Sequence, residues 1–576
     1  MTVALVLAGT GEADQGLGLG EHTAAPSRAS SAFNEELAAL GVSRIDAADR
    51  DGHGMLTVAA AARAAGDWVL ICAGVTPTAE LARLIRTEGT AAVASYGSTG
   101  ALLVNPGDLG ELAEAAEELA ANNHTPDPVG ALLGELARRG VSVRVVDGAT
   151  ESQLVTDPVA ADIARWAGER ELTPMALYGI SLSLGLISAM WFSELALRAK
   201  GFAIIALFAA FVTARAGHML DVTNRTTGGY RSPAASWLRL AGAIITEFGL
   251  YAGIAVSAAV TPGAGDGLSG IFGAALKPTF VDTLGGQGVT GVWHLAITAM
   301  VFLAVRQMAD RCVSAAGIRP DPSRFTRLVC LPVGERLTLL CASVVFVGSR
   351  FAFLVLLAWG AVAFGYALTG LFATRDGDTL PADVGREIAA CRGDGPFSIW
   401  LGRFAVGRIP PLVPLSVGLL VTCMLTALGL GNLPGILVLA PVVAMLLAAL
   451  GSSSPHDGTR DWLVPAILQA AEYLYITALA FTHSVSAPVT FALLGAVVLR
   501  HFEIACRARI WPPDRSLADE TDLGWEGRMV LAGLAAFFGV VPLVYAIMAG
   551  WMWLMLLRDF VTRWVPAGYR CRLPGC

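Results

Sequence analysis

The chain has 576 residues, of which 55% are hydrophobic and 15% charged, and its mean hydropathy is +0.60. This composition is too apolar for an ordinary soluble protein and indicates that most of the chain lies in a membrane. The formal net charge is −7 and the nine cysteines form no Cys-x-x-Cys pair. A nucleic-acid partner, a zinc site and a disulfide framework are therefore not expected.

Residues 1–168 are predicted to form an α/β domain. Short β-rich runs alternate there with Ala- and Glu-rich amphipathic helices, and the runs lie at 3–8, 68–73 and 141–146. This alternation is typical of βαβ units, so we expect a parallel sheet. The first run leads into a glycine-rich loop, where Gly9 and Gly11 would let backbone N–H groups approach a phosphate. A glycine-rich turn in this place is also common without any ligand.

From residue 174 onward apolar stretches recur that are long enough to cross a bilayer core roughly 30 Å thick. We predict about eleven or twelve spans, the last of them being one long helix or two. They lie at 174–194, 201–220, 236–260, 290–308, 336–350, 352–374, 410–430, 433–451, 463–482, 485–503 and 529–558.

The loop arginines predict the orientation of these spans. If the N-terminus is inside, the inner loops are 221–235, 309–335, 375–409, 452–462 and 504–528, and they hold most of the loop arginines. The positive-inside rule agrees with that arrangement. We therefore expect a multi-pass protein of the inner (cytoplasmic) membrane whose N-terminal domain lies in the cytosol.

Ionisable residues are unusually dense at the inner ends of the second and third spans. They are His218, Asp221, Arg225, Arg231, Arg239 and Glu247. Charge at membrane depth is costly, so it marks either a functional site or an internal ion pair. For Arg225 and Arg231 the alternative is that they anchor the loop at anionic headgroups.

Further polar residues lie in the C-terminal spans. They are Glu472, Arg500, His501 and Glu503, with the segment 525–528 just before the last span. A second site is one interpretation of them, and simple pairing at the helix ends is the other.

Three segments carry a resemblance to one family. SerProAlaAlaSerTrpLeuArg occupies 232–239 and leads into a span containing TyrAlaGlyIleAla (251–255), LeuProValGlyGluArg occupies 331–336, and GlyTrpGluGlyArg occupies 524–528. In these segments the chain resembles the CDP-alcohol phosphatidyltransferases. The resemblance is to a bacterial form that is fused to an N-terminal nucleotidyltransferase-like domain and to a C-terminal membrane domain of unknown function.

The resemblance implies a three-part organisation. Residues 1–168 would be the nucleotidyltransferase-like α/β domain, 169–375 a six-helix transferase-like membrane domain, and 376–576 a membrane domain with five or six helices. In the first part the loop carries Glu12 and Asp14 where a triphosphate needs positive charge. Val75 likewise replaces the metal-binding aspartate of the family, so we expect no catalysis by this domain.

The family motif assigns roles within the charged cluster. It reads Asp-x-x-Asp-Gly-x-x-Ala-Arg and then Gly-x-x-x-Asp-x-x-x-Asp, and its four aspartates hold two Mg²⁺ or Mn²⁺ ions that bind the donor pyrophosphate. In the best alignment the third and fourth aspartates fall on Arg239 and Ala243. Asp221 becomes the second aspartate only after a shift of one residue. We therefore predict no metal site, and a metal cofactor would be needed only by an active transferase.

The remaining residues receive weaker assignments. The candidate catalytic carboxylates are Asp221 and Glu247. The candidate substrate-binding residues are His218, Arg225, Arg231 and Arg239. Arg239 either binds phosphate in place of a metal, or pairs with Asp221 or Glu247 and holds the second and third spans together.

Three functions are compatible with the sequence. The first is transfer of a phosphoalcohol from a CDP-linked donor to a hydroxyl acceptor. The second is a degenerate, non-catalytic member that binds lipid or nucleotide or acts as a scaffold for a partner enzyme, and the loss of ligands in two domains favours it. The third is a transporter. Membrane lipids are the expected partners, and the resemblance adds a CDP-linked donor and a homodimer.

Overall fold

The computed structural model describes the chain in two compact units. The described residues are 2–7, 42–48, 68–73, 91–96, 99–104, 143–147, 157–226, 233–260, 289–315, 333–373, 382–404, 410–428, 435–451, 460–510 and 523–564, with single residues between them. One unit comprises Met1–Pro174 and Arg215–Arg231, and the other comprises Met175–Ala214 and Ser232–Cys576.

The first unit contains a six-stranded mixed sheet. Its strands are β1 Thr2–Leu7, β2 Val42–Ala48, β3 Trp68–Ala73, β4 Ala91–Tyr96, β5 Thr99–Val104 and β6 Val143–Asp147. The strand order is β2-β1-β3-β5-β4-β6. β1 runs parallel to β2 and β3, and β4 runs parallel to β6, whereas β5 is antiparallel to both of its neighbours.

The prediction of a parallel sheet was therefore wrong for β5. Only Gly97 and Ser98 separate β4 from β5 in the sequence, and a two-residue connection is too short for the crossover that a parallel pair requires. Gly-Ser between two apolar runs is a hairpin signal, and it would have predicted this pair. Gly9, Gly11 and the rest of the glycine-rich loop lie outside the described residues.

The rest of the described chain is helical. The helices are α1 Asp157–Glu169, α2 Pro174–Phe192, α3 Leu197–Thr226, α4 Pro233–Val260, α5 Val289–Ala315, α6 Val333–Phe346, α7 Ser349–Ala373, α8 Ala382–Cys391, α9 Pro396–Gly402, α10 Leu412–Ala427, α11 Ala440–Ala448, α12 Val464–Thr482, α13 Ala487–Ile510, α14 Gly524–Phe537 and α15 Val541–Asp559. Proline opens α2, α4 and α9. The N–H group at the first helical position has no acceptor within the helix, so proline, which lacks that N–H group, is favoured there.

By length and composition, seven of the described helices can cross a membrane: α2, α3, α4, α5, α12, α13 and α15. Shorter apolar helices lie at Arg336–Phe346, Ser349–Gly365, Leu412–Ala427 and Gly435–Gly451. The chain is therefore a multi-pass membrane protein. The last predicted span is two helices, α14 and α15, and the chain turns between them at Gly539, whose φ of +72° suits glycine.

Helices from both predicted membrane domains share one apolar core. Phe491 of α13 makes edge contacts with Phe248 of α4 and with Trp293 of α5, at centroid distances of 6.4 and 5.8 Å. Trp237 of α4 stacks on Phe560, which follows α15, at 5.0 Å. The C-terminal helices thus pack directly on α4 and α5.

Small residues let α2 and α4 approach closely. A Cβ atom added at Gly253 would lie 2.2 Å from the carbonyl oxygen of Ala189, and one added at Gly185 would lie 2.4 Å from the Thr246 hydroxyl. Membrane helices use such small residues because lipid offers no hydrophobic force to press helices together, and close backbone contact supplies the attraction instead.

We expect Gly253→Ala to destabilise the protein by about 1–3 kcal/mol, because the added methyl group overlaps the Ala189 carbonyl. Gly179→Ala on α2 is the control, since nothing lies within 4 Å of its added Cβ. A helix interior favours Ala over Gly by about 0.5–1 kcal/mol, so the control should be neutral or stabilised. Unfolding midpoints in one detergent measure the difference, and equal midpoints would contradict the close contact.

Candidate functional site

The residues predicted around the second and third spans belong to two different units of the structure. His218 is half-buried and Asp221 is 2% exposed, and both lie on α3 in the first unit. Arg239 is exposed and Glu247 is buried, and both lie on α4 in the second unit. The side chain of Arg225, and Arg231 as a whole, lie outside the described residues.

Glu247 is the centre of a buried polar group that we call the Glu247 centre, formed by Glu247, Tyr251 and Arg336. Arg336 of α6 donates through Nε to Glu247 Oε1 at 2.7 Å and through Nη2 to Oε2 at 2.8 Å. The Tyr251 hydroxyl donates to Oε1 at 2.8 Å. Glu247 is 1% exposed, and its two oxygens accept three hydrogen bonds from these neighbours. The ion pair therefore joins α4 to α6.

The Glu247 centre unites two segments that are far apart in the sequence. Tyr251 begins the segment 251–255, and Arg336 ends the segment 331–336. Glu247 was predicted as a site residue from the sequence, whereas its partner Arg336 was not. The available signal was that a carboxylate inside a span needs a cation, and Arg336 is an arginine at the start of another apolar helix.

A narrow cleft lies beside the Glu247 centre and is lined by residues of α4, α5, α6 and α7. Its walls are mostly apolar and include Phe302, Leu356 and Trp359, and Arg306 and Arg336 also line it. Both arginines are buried. Arg336 is paired with Glu247, and Arg306 Nε lies 3.6 Å from Asp310 Oδ2, so the cleft combines an apolar wall with two arginines that have carboxylates beside them.

A second buried polar group, the Arg528 centre, is formed by Glu472, Tyr473, His501 and Arg528. Arg528 Nε donates to Glu472 Oε1 at 2.6 Å, and its Nη2 lies 3.2 Å from Oε2 and 3.1 Å from His501 Nε2. Tyr473 Oη lies 2.6 Å from His501 Nδ1. Because arginine can only donate, a bond to His501 Nε2 requires that nitrogen to be unprotonated. His501 is then neutral with its proton on Nδ1, where it faces the Tyr473 oxygen.

The segment 524–528 connects the Arg528 centre to the loop between α8 and α9. The Trp525 indole donates to Asp394 Oδ1 at 2.8 Å, and Glu526 accepts the N–H groups of Gly395 and Ser398 at 3.2 and 3.1 Å. A carboxylate is well placed there because the first N–H groups of a helix lack partners of their own. Burial raises the pKa of Glu526, and the N–H groups that it accepts oppose that rise.

The other predicted C-terminal residues form a separate cluster at the end of α13. Arg500 Nη1 donates to Glu503 Oε2 and to Asp559 Oδ2 of α15. Of the C-terminal residues that the sequence analysis named, Glu472, His501 and Arg528 therefore meet in one place, and Arg500 and Glu503 in another. Tyr473 and Asp559 were missed.

One comparison with known families bears on this region. A family of unknown function, DUF5941, matches residues 383–571, which are 189 of the 576 residues. The match includes the Arg528 centre, the Arg500 cluster and the segment 524–528, and it lies within the predicted C-terminal domain 376–576. No curated protein matches the chain.

We expect Glu247→Gln to cost about 3–5 kcal/mol, because it removes the carboxylate charge that the buried Arg336 guanidinium contacts at 2.7 and 2.8 Å. The double variant Glu247→Leu, Arg336→Met removes both charges and should recover much of that loss. Asp162→Asn is the control, since it breaks an exposed pair with Arg165 on α1 and should cost about 0–1 kcal/mol. Chemical or thermal unfolding in detergent measures these values. A double variant no more stable than Glu247→Gln would contradict the pairing.

Arg528→Lys tests the Arg528 centre. Lysine keeps the charge, but its single ammonium group cannot bond to Glu472 and His501 together as the planar guanidinium does. We therefore expect the free energy of unfolding to fall by about 1–3 kcal/mol. Arg558→Lys on α15 is the matched control, because Arg558 is exposed, and it should be neutral. Unfolding midpoints measured side by side decide the point, and equal effects of the two substitutions would show that the Arg528 fork does not stabilise the bundle.

Proposed function

We propose that the protein is a non-catalytic relative of the CDP-alcohol phosphatidyltransferases that binds an anionic lipid in the cytoplasmic membrane. The observation that supports this most is the state of Glu247. Of the two carboxylates that remain as catalytic candidates, Glu247 is held on both oxygens by Arg336 and Tyr251. A carboxylate bound in this way is neutralised and cannot act as a metal ligand or a base without breaking a buried ion pair.

The residues present do not fit the metal pair that the transferase reaction uses. In that reaction several carboxylates hold two Mg²⁺ or Mn²⁺ ions, which bind the pyrophosphate of the donor. Arg239 and Ala243 stand at two of the aligned aspartate positions. Within the described part of the chain, no group of three or more His, Cys, Asp or Glu side chains is arranged to hold a metal. No step of the proposed function depends on a metal.

The cleft beside the Glu247 centre supports lipid binding. A guanidinium group can bind a phosphate oxygen in addition to its own carboxylate, and Arg306 and Arg336 both line the cleft. The apolar wall with Phe302, Leu356 and Trp359 suits an acyl chain. An anionic amphiphile can contact the arginines with its headgroup and the apolar wall with its acyl chain. A free nucleotide would leave the apolar wall without an apolar partner. Lipid therefore fits this cleft better than nucleotide.

The orientation is part of the proposal. Seven helices at the predicted spans are long and apolar enough to cross a membrane, and four shorter apolar helices lie at other predicted spans. The proposal keeps about eleven or twelve crossings with the N-terminal α/β unit in the cytosol, as the loop arginines predict. With this orientation Arg306, near the end of α5, and Arg336, near the start of α6, lie toward the cytosolic side. A lipid in the cleft would then belong to the inner leaflet. The CDP-linked donor and the homodimer stay predictions from the resemblance.

Lipid binding is tested by native mass spectrometry of the full chain purified from membranes containing phosphatidylglycerol. We expect the wild type to retain anionic phospholipid and Arg306→Gln to retain about tenfold less, because one charge-assisted contact is lost. Arg350→Gln is the control, since Arg350 starts α7 outside the cleft lining. Equal retention by both variants would show that the cleft is not the lipid site.

Catalysis is tested separately. Purified protein with Mg²⁺ or Mn²⁺, labelled CDP-diacylglycerol and candidate hydroxyl acceptors should release no CMP above background. Metal-dependent CMP release that is abolished by Asp221→Asn would overturn the non-catalytic assignment, whatever the outcome of the lipid experiment.

A further inference from the structure

The end of α13 carries a cluster of buried arginines. Arg500 and Arg507 lie on α13, Arg563 follows α15, and these arginines lie beside two carboxylates, Glu503 and Asp559. We call these five residues the basic cluster. All belong to the second unit, and four of them are almost completely buried, while Arg563 is 30% exposed.

The two carboxylates are already engaged by the other arginines. Arg500 Nη1 donates to both Glu503 Oε2 and Asp559 Oδ2, and Arg563 Nε lies 3.4 Å from Asp559 Oδ1. Arg507 is left with one distant partner, because its Nε lies 3.7 Å from Glu503 Oε1, which is beyond hydrogen-bonding distance. That Glu503 oxygen accepts no hydrogen bond either.

Arg507 is the unsatisfied member of the cluster. Its side chain is 3% exposed, and both Nε and Nη2 are buried without an acceptor among the residues that the structure describes. A buried guanidinium with open donors is costly, since nothing replaces the water that it has lost. The other ionised groups around it are Arg500, Arg563, Glu503 and Asp559. An added anion would satisfy the open donors of Arg507.

The surroundings place the basic cluster at the edge of the apolar bundle. Trp564 follows Arg563 directly and stacks on Trp237 of α4, with ring centroids 5.8 Å apart. An apolar helix as long as α13 ends near the level of the lipid headgroups. α13 and α15 both end here, and the partly exposed Arg563 gives access from outside. Phosphate is the anion that abounds at this level, and arginine binds it with parallel hydrogen bonds.

We propose that Arg507, with Arg500 and Arg563, binds a phosphate group at this end of the bundle. The ligand chemistry is that of a phosphate monoanion or diester, as found in an anionic lipid headgroup or in free phosphate. This site lies in the region matched by the family of unknown function, and its residues differ from those that line the cleft. It does not depend on the proposed function.

The experiment uses the full chain in nanodiscs and measures the thermal unfolding midpoint. One arm compares phosphatidylcholine discs with discs that also contain phosphatidylglycerol. The other arm adds inorganic phosphate to pure phosphatidylcholine discs, against chloride at equal ionic strength. We expect the wild type to be stabilised in at least one arm. Arg507→Gln should need about tenfold more ligand for the same rise, because a charged hydrogen bond is lost.

Arg558→Gln is the matched control, because it removes the same charge from an exposed position beside Asp559, and it should respond like the wild type. A response to phosphatidylglycerol alone identifies a lipid headgroup, and a response to inorganic phosphate identifies the free ion. Equal losses in Arg507→Gln and Arg558→Gln, or no ligand response that depends on Arg507 in either arm, would overturn the proposal.

Glu503→Gln keeps the experiment decisive if Arg507→Gln fails to fold. Glutamine retains the shape of Glu503 but removes the negative charge nearest to Arg507, so the cluster gains attraction for an anion. We expect half-maximal stabilisation at about tenfold lower ligand concentration. Misfolding cannot produce tighter binding. Unchanged or weaker binding by Glu503→Gln would count against the site.

Discussion

A charge buried inside an apolar helix bundle needs its counter-charge within the protein, because hydrocarbon solvates neither partner. The described helices meet this constraint in three places. Glu247 with Arg336 joins α4 to α6, Glu472 with Arg528 joins α12 to α14, and Arg500 with Asp559 joins α13 to α15. Apolar packing alone tolerates sliding of one helix along another, whereas a forked guanidinium fits a carboxylate in one geometry. We infer that these pairs fix the register of the bundle.

The same constraint ties together segments that are far apart in the sequence. Tyr251, Arg336 and Arg528 belong to three separate segments, and each of them bonds to a buried carboxylate. Removing one member of a buried ion pair is strongly destabilising. Selection for the fold alone would therefore retain Arg336 and Arg528, with or without a reaction for the protein to catalyse.

Hydropathy predicted the membrane helices because each span is a local property of about twenty consecutive residues. Local patterns also predicted the strands near 3–8, 68–73 and 141–146. They allowed the last span to be two helices, which are α14 and α15. The β4–β5 hairpin was not predicted, although Gly97 and Ser98 between two apolar runs are a local hairpin signal. The partners of the buried charges were missed for a physical reason: Arg336 lies 89 residues from Glu247 and Arg528 lies 56 from Glu472, so only the fold brings them together. Sequence showed which charges needed partners, and the structure showed which partners they have.

The shared core gives the C-terminal helices a role that does not depend on any chemistry of their own. α13 covers α4 and α5 through Phe491, and the residues after α15 cover Trp237 of α4. α13 also carries His501 of the Arg528 centre and Arg500 and Arg507 of the basic cluster. One helix therefore contacts α4 and α5 and also contributes to both C-terminal polar groups. A packed helix shifts as a rigid element. An anion that binds Arg507 would therefore act on α13, and α13 also packs against α4, the helix that carries Glu247.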